Sequence, residues 1–592
     1  MRETSMKKQI KFVAVLSTAA LLSLYGAAAS FGAEGWAQEN GSWVYYDRAG
    51  ERVTEDWIQD NERWFWLDEN GEMAADGLRQ IRDEYYYFRE DGSMVSGEWV
   101  AVPNEYAGME DEPENYWYYF QENGKAMRRP SGASSGSLKA KTIDGKKYAF
   151  DTEGRMLYGW VAEGERQTGE DAWENSDHYF GDENDGAMKQ GWMRLRIQAE
   201  DVEDDQPGAG FWEEEQDRWF YFNANGKKIR GKENDCKYQT INGNKYGFDE
   251  YGRMIATWYA DPEILTLATS RSEAGEGRLY QGQEEYSRQF MYFGTPEAGA
   301  RYANGWFKAR PSEYLMKSKY DDGEMYNYYA DGDGNICVNE IKTIDGEKYA
   351  FDNAGRQLNG MVCVKMDEGS SNQFEYSFYS DASVRAGRGP YSDEAEFHDL
   401  METYAEDFAS HSMRLYLFNG PSGSMLTGKQ KVQLGKSGEF YEFMFETGGR
   451  FKGAGVCGEK DGRLYQAGML LKPEEGEKYA IFKETFETLP EDATEEERTD
   501  FENRDTDGDG KIEGALVKVP VEEFISEVCN SGIYDEKEEE TVWTVRYDPP
   551  GVTYYLVGQN GDIVKNKKSA ADVDGYEFYV KNKKICSITV EE

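Results

Sequence analysis

The chain has 592 residues, enough for several domains, and carries a net charge of −46. That charge excludes nucleic-acid binding, which depends on Lys and Arg against phosphate, and attraction to anionic lipid. Aromatic residues make up 15% of the chain, too many for a solvated acidic tail, while apolar residues reach only 39%, which favours a series of small cores over one large core.

Lys7, Lys8 and Lys11 precede an apolar run from Phe12 to Tyr25, and Ala27-Ala28-Ala29 then suits a small-residue cleavage site. Residues 1–33 therefore read as a secretory signal peptide, with a retained membrane anchor as the alternative. A secreted protein with no membrane contact after cleavage is expected.

Residues 34–130 repeat one short pattern. An aromatic cluster is followed by a Gly seven residues after its first member: Trp43 before Gly50, Trp64 before Gly71, Tyr85 before Gly92 and Trp117 before Gly124. The first three of these glycines are 21 residues apart. Each unit opens near a Gly-Trp or its equivalent, at Gly35-Trp36, Asp56-Trp57, Gly77-Leu78 and Glu98-Trp99. Short aromatic runs separated by Gly, Asn and Asp turns predict β-hairpins. A single hairpin is marginal in water, so a stack that buries aromatic faces against neighbours is expected.

Residues 131–138 are Ser/Gly-rich and read as a linker. Residues 139–394 contain three copies of a Thr-Ile-Asp/Asn-Gly segment, with Thr142, Thr240 and Thr343 lying 98 and 103 residues apart. Long acidic insertions, such as 161–177 and 199–217, fall between the strands of single hairpins. Trp219 before Gly226 and Tyr179 before Gly186 keep the seven-residue register. Residues 395–592 are less regular, with helices expected over 394–410, 485–503 and 520–530. The fold class is mainly β: a solenoid of stacked hairpins with a less regular C-terminal region containing short helices. Six widely spaced cysteines match no metal motif and favour buried free thiols over a disulfide framework.

Residues 35–130 resemble the cell-wall-binding, or choline-binding, repeats of Gram-positive surface proteins. The Thr-Ile-Asp-Gly copies also resemble repeats of glucan-binding domains and large glucosylating toxins. The resemblance implies a β-hairpin solenoid with ligand sites between successive hairpins, two rings coming from one repeat and one from the next. A quaternary ammonium donates no hydrogen bond, so an aromatic cage is its natural receptor. By motif position Trp43, Trp57 and Trp64 or Trp66 form one expected box. Tyr85, Trp99 and Trp117 or Tyr118 form a poorer one, stretched by the insertion 101–115. Trp36 joins this candidate ligand set. Leu78 stands where a Trp is expected, and Lys147, Lys245 and Lys348 occupy the register position of Trp43. The alternative role for all these rings is hairpin core.

Asp505-Thr506-Asp507-Gly508-Asp509-Gly510-Lys511-Ile512 matches the start of a calcium loop, in which alternate carboxylates converge on one hard cation. Asp505, Asp507, Asp509, Lys511 and Glu513 form the candidate Ca²⁺ set, although Leu516 replaces the usual bidentate Glu. No catalytic motif emerges. The expected function is a secreted, non-catalytic protein docking on choline-bearing teichoic acid or wall polysaccharide. A wall-targeted hydrolase in the C-terminal region, or an adhesin or scaffold, stays open.

Overall fold

Every aromatic run pairs with the Gly-Trp run before it. In the structure, a computed structural model, Trp36 faces Tyr45 and Gln38 faces Trp43 across the first antiparallel ladder. Trp57 faces Trp66, Leu78 faces Tyr87 and Trp99 faces Tyr119 in the next three. The described residues are 34–591 except 110, 131–137, 198–215, 234, 262–263, 265–285, 379–393, 435–438, 505–509, 536–537, 539 and 547–548. The signal segment 1–33, nearly all of the linker 131–138 and most of the insertion 199–217 lie outside them.

Two-residue turns close the short hairpins, and both central residues take positive φ, as at Asn40-Gly41 (51° and 94°) and Asn61-Glu62 (49° and 64°). Such turns match the right-handed twist of the flanking strands. After six of the hairpins an aspartate then organises the next turn. Asp47 Oδ1 accepts hydrogen bonds from the Ala49 and Glu51 amides, and Asp68, Asp151, Asp249, Asp331 and Asp352 do the same two and four residues on. This is why the turns are rich in Asp.

One recurring backbone hydrogen bond ties each repeat to the one before it. The amide of Met73 donates to Trp43 O (2.7 Å), Met94 to Trp64 O, Ala126 to Tyr85 O and Met156 to Trp117 O (each 2.8 Å). Carbonyls that a lone hairpin would leave at an open edge are thereby paired by the next repeat. Side chains lock the same joint. A Cβ on Gly92 would overlap the Met73 thioether, and one on Gly124 that of Met94.

The chain divides into two compact units, residues 1–191 with 222–228, and 192–221 with 229–592. The first contains the hairpins up to 148 and a four-stranded sheet ordered Glu165–Arg166, Gly159–Ala162, His178–Asp182, Asp185–Met188. Residues 163–177 thus sit between paired strands, as their insertion pattern predicts. In the second unit hairpins continue to Phe351 and larger antiparallel sheets follow. Gly360–Met366 is central to a three-stranded sheet, and Tyr479–Thr488 to another. The architecture is mainly β with few helices.

Helices form at Glu394–Thr403 with Ala405–Ala409, and at Val521–Val528, close to where the sequence places them. The helix expected over 485–503 starts only at Glu495. Residues 485–488 instead finish a strand hydrogen-bonded on both sides, and Pro490 separates that strand from the helix. The ladder outweighs the helix propensity of an acidic stretch. None of the six cysteines forms a disulfide with another described residue, and four of them are buried.

Asp151 makes one local prediction. Burial raises its carboxyl to about 6, against opposing hydrogen bonds and charge from Arg155. Its pKa is higher folded than unfolded, so it contributes stability that is lost as pH rises from about 4 through 6. Asp151→Asn keeps the Oδ1 acceptor and removes the titration. The variant is expected to match wild type in urea midpoint at pH 4 and to exceed it at pH 7.

Candidate ligand-binding site

The 56–67 hairpin places Trp57, Trp64 and Trp66 on one face, because cross-strand partners and residues two apart share a side. Trp57 is the anchor of that face. Its ring centroid lies 5.2 Å from Trp66, and 4.9 Å and 5.9 Å from Tyr86 and Phe88 of the next hairpin. Trp64 stands nearly perpendicular to Trp57, at 6.5 Å and 85°, and is 40% exposed. The result is a corner of two indoles backed by Tyr86. Met94 is drawn to it by the hydrogen bond to Trp64 O and packs against the same cluster. Burial raises the Tyr86 pKa.

The second unit repeats this arrangement with residues the sequence reading did not select. Trp192 lies 6.2 Å from Trp219 at 89°, 4.8 Å from Tyr246, 5.1 Å from Tyr221 and 5.7 Å from Phe248. The Met254 amide donates to Trp219 O at 2.8 Å, as Met94 does to Trp64. The signal was present in Gly191-Trp192 and Trp219, but the insertion between them hid their pairing.

The expected grouping of rings is corrected in two places. Trp43 does not meet Trp57. Trp43 shares a face with Trp36, whose ring packs on Tyr45 and on Phe65 and whose indole N–H donates to Asp60 Oδ2 (3.2 Å). Phe65 pairs with Ile58, on the opposite side of the 56–67 hairpin from Trp57. That hairpin therefore separates the two indoles. Tyr85 likewise packs with Leu78 and Tyr87 against Tyr118 and Phe120, whereas Trp99 and Trp117 pack with Tyr148 and Phe150. The residue types are legible in the chain, but their assignment to faces is not.

At the first-aromatic position, Lys147, Lys245 and Lys348 face Thr142, Thr240 and Thr343, as the register predicts. Burial, with the nearby Lys452 and Arg414 charges, lowers the Lys348 pKa. An ammonium in the place of a ring disfavours a cationic ligand there. Tyr179, by contrast, pairs with Trp160 and so occupies the place of Tyr45. Asp177 takes the first-aromatic place, its carbonyl accepting from Lys228 N, and a register shift between Phe180 and Asp182 absorbs the offset.

Asp505, Asp507 and Asp509 of the candidate Ca²⁺ loop lie outside the described residues. Lys511 opens the strand Lys511–Val519 with its ammonium 4.6 Å from the Phe486 ring centroid, and the Glu513 backbone pairs with Phe486. Among the described residues no group of three or more His, Cys, Asp and Glu is placed to hold a metal ion.

A family model of cell wall binding repeats, of the choline-binding type, matches residues 56–73, 76–94, 114–126 and 212–228. The matched segments contain Trp57, Trp64 and Trp219, three of the four corner indoles. In those four segments the chain matches cell wall binding repeats. No curated protein matches it in sequence. Three solved structures similar to this chain come from Streptococcus pneumoniae. The modular autolysin LytC is 16% identical, over 56% of this chain and 55% of LytC, with a TM-score of 0.27. The chain thus spans about half the length of LytC. CbpJ is 18% identical over 55% of this chain and 100% of CbpJ, with a TM-score of 0.22. CbpF, in complex with ipratropium, is 13% identical over 74% of this chain and 98% of CbpF, with a TM-score of 0.21.

Proposed function

We propose that this protein is secreted, lacks catalysis of its own, and docks on the bacterial cell wall through the corners at Trp57/Trp64 and Trp192/Trp219. The ligand is the choline of a choline-bearing teichoic acid, with a wall polysaccharide as the alternative polymer. The observation that carries this reading is the recurrence of one perpendicular indole pair, each backed by a Tyr and a Met from the following repeat. A quaternary ammonium fits such a corner because it needs π-faces and no hydrogen-bond partner, at roughly 0.5–2 kcal/mol per ring. Two weak sites on one chain gain by avidity against a polymer with repeated ligands, by about 100-fold or more.

Co-sedimentation with purified walls tests the proposal. The full chain is expected to pellet with intact walls, to be released by free choline, and to stay in solution when teichoic acid has been stripped. Trp64→Ala/Trp219→Ala should pellet poorly in every case. Pelleting that survives both stripping and the double substitution would remove the choline reading. Hydrolysis of wall substrate by the full chain would remove its non-catalytic part.

A further inference from the structure

The 305–330 hairpin repeats the corner geometry with a paired exchange. Trp306 lies 5.3 Å from Tyr329, 4.9 Å from Tyr349 and 5.6 Å from Phe351. These spacings match the Trp57 and Trp192 sets. The residue facing Lys308 across the ladder, where Trp64 faces Gln59, is Asn327. The residue whose amide donates to Asn327 O (2.9 Å), where Met94 donates to Trp64 O, is Gln357. An indole and a thioether are replaced together by two carboxamides, in the same two places.

Loss of the indole opens a cavity of about 380 Å³, lined by Trp306, Tyr349, Lys308, Asn327, Gln357 and Ser422. That volume falls within the range of roughly 300–1,000 Å³ usual for small-molecule pockets. The amides hold each other in fixed orientation. Asn327 Nδ2 donates to Gln357 Oε1 (2.9 Å), and Gln357 Nε2 donates to Ser422 O (2.9 Å). Gln357 is buried, at 6% exposure, while Asn327 and Lys308 are exposed. Among the described residues, Asn327 Oδ1 and the Lys308 ammonium have no hydrogen-bond partner.

We propose that this pocket binds a pyranose ring of a neutral oligosaccharide. A sugar offers a C–H face to the rings of Trp306 and Tyr349, and hydroxyls to Asn327 Oδ1 and the Lys308 ammonium. The trimethylammonium head of choline offers neither a hydrogen-bond donor nor an acceptor. It would strip water from the amide without replacing its hydrogen bond, and it would sit beside a like charge. The site therefore selects against the ligand of the Trp57 and Trp192 corners while keeping their backbone frame. It does not rest on the choline reading, because it shares no residue with either corner.

Titration calorimetry of the full chain tests this with two probes, the β-1,4-linked tetramer of N-acetylglucosamine and isomaltotetraose. Saturable binding of at least one is expected, unchanged in Trp64→Ala/Trp219→Ala. Asn327→Trp/Gln357→Met, which restores the indole and thioether, should weaken it at least about tenfold and add one site to a choline titration. Asn327→Ala, at an exposed position, protects against misfolding of the double variant and should weaken binding about fivefold or more, the loss of one hydrogen bond. No saturable heat with either tetramer up to about 10 mM, or unaltered affinity in both variants, overturns the proposal. Oligosaccharide binding without choline binding would sink the choline reading and leave this one standing.

Discussion

Trp64→Ala is expected to leave the fold intact and to weaken choline binding at its corner about 3- to 30-fold, the worth of one ring in a cation–π site. Trp57→Ala is expected to do something different. Trp64 is 40% exposed and meets Trp57 only edge-on, so its removal uncovers little apolar surface and costs about 1 kcal/mol or less. Trp57 contacts Trp66, Tyr86 and Phe88 as well, and two of those rings belong to the next hairpin. Its loss opens a gap between repeats. Truncating a fully buried Trp costs about 3–5 kcal/mol, and the partial exposure of Trp57 reduces this to about 2–4. Choline calorimetry together with urea unfolding separates the two roles. Full choline affinity in Trp64→Ala would show that the corner is core packing alone. On a choline resin the effect should be larger for Trp64→Ala/Trp219→Ala than for either single variant, because avidity is lost with the second corner.

The same distinction explains what the sequence could and could not supply. The seven-residue interval between first aromatic and glycine is set by strand length plus a tight turn closed by the glycine amide, which at Gly71, Gly124 and Gly226 donates to the carbonyls of residues 68, 121 and 223. Both are local, and they place Trp64, Trp117 and Trp219 in equivalent positions without any tertiary information. Which rings meet is a property of faces. Trp43 and Trp57 are close in sequence yet point to different neighbours, because a strand alternates its sides and a whole hairpin lies between them. The Trp192–Trp219 corner had the right residues but was hidden by an insertion, since distance along the chain stops reporting distance in space once a loop intervenes. Asn327 and Gln357 were invisible for a further reason. Neither is aromatic, and their significance appears only when Trp64 and Met94 are known to occupy the same backbone sites. The helix expected from residue 485 failed because the charge of that stretch was visible while its two strand neighbours, near 512 and 552, were not.

Gly124→Ala is the second large effect expected, and it probes how the repeats are joined. Gly124 has φ +77°, so any L side chain there costs roughly 1–2 kcal/mol in backbone strain. The added methyl would also overlap the Met94 thioether from the preceding repeat, and overpacking of this kind costs about 1–3 kcal/mol. Gly145→Ala isolates the first contribution. Gly145 has φ +80° and nothing within 4 Å of its missing Cβ. The expected order of urea midpoints is wild type, then Gly145→Ala, then Gly124→Ala. Met94→Ala has its own cost, but in the Gly124→Ala background it should cost less than in wild type, because it removes the overlap. That coupling is the measurement that matters. A positive coupling means that a turn glycine such as Gly92 or Gly124 is kept for the methionine of the repeat before it, which makes the Met–Gly joint part of the repeat code where both residues occur. Equal losses at Gly124 and Gly145, with no coupling to Met94, would mean that the flexible thioether moves aside. The hairpins would then be joined by their rings and by the Met94-to-Trp64 backbone hydrogen bond alone.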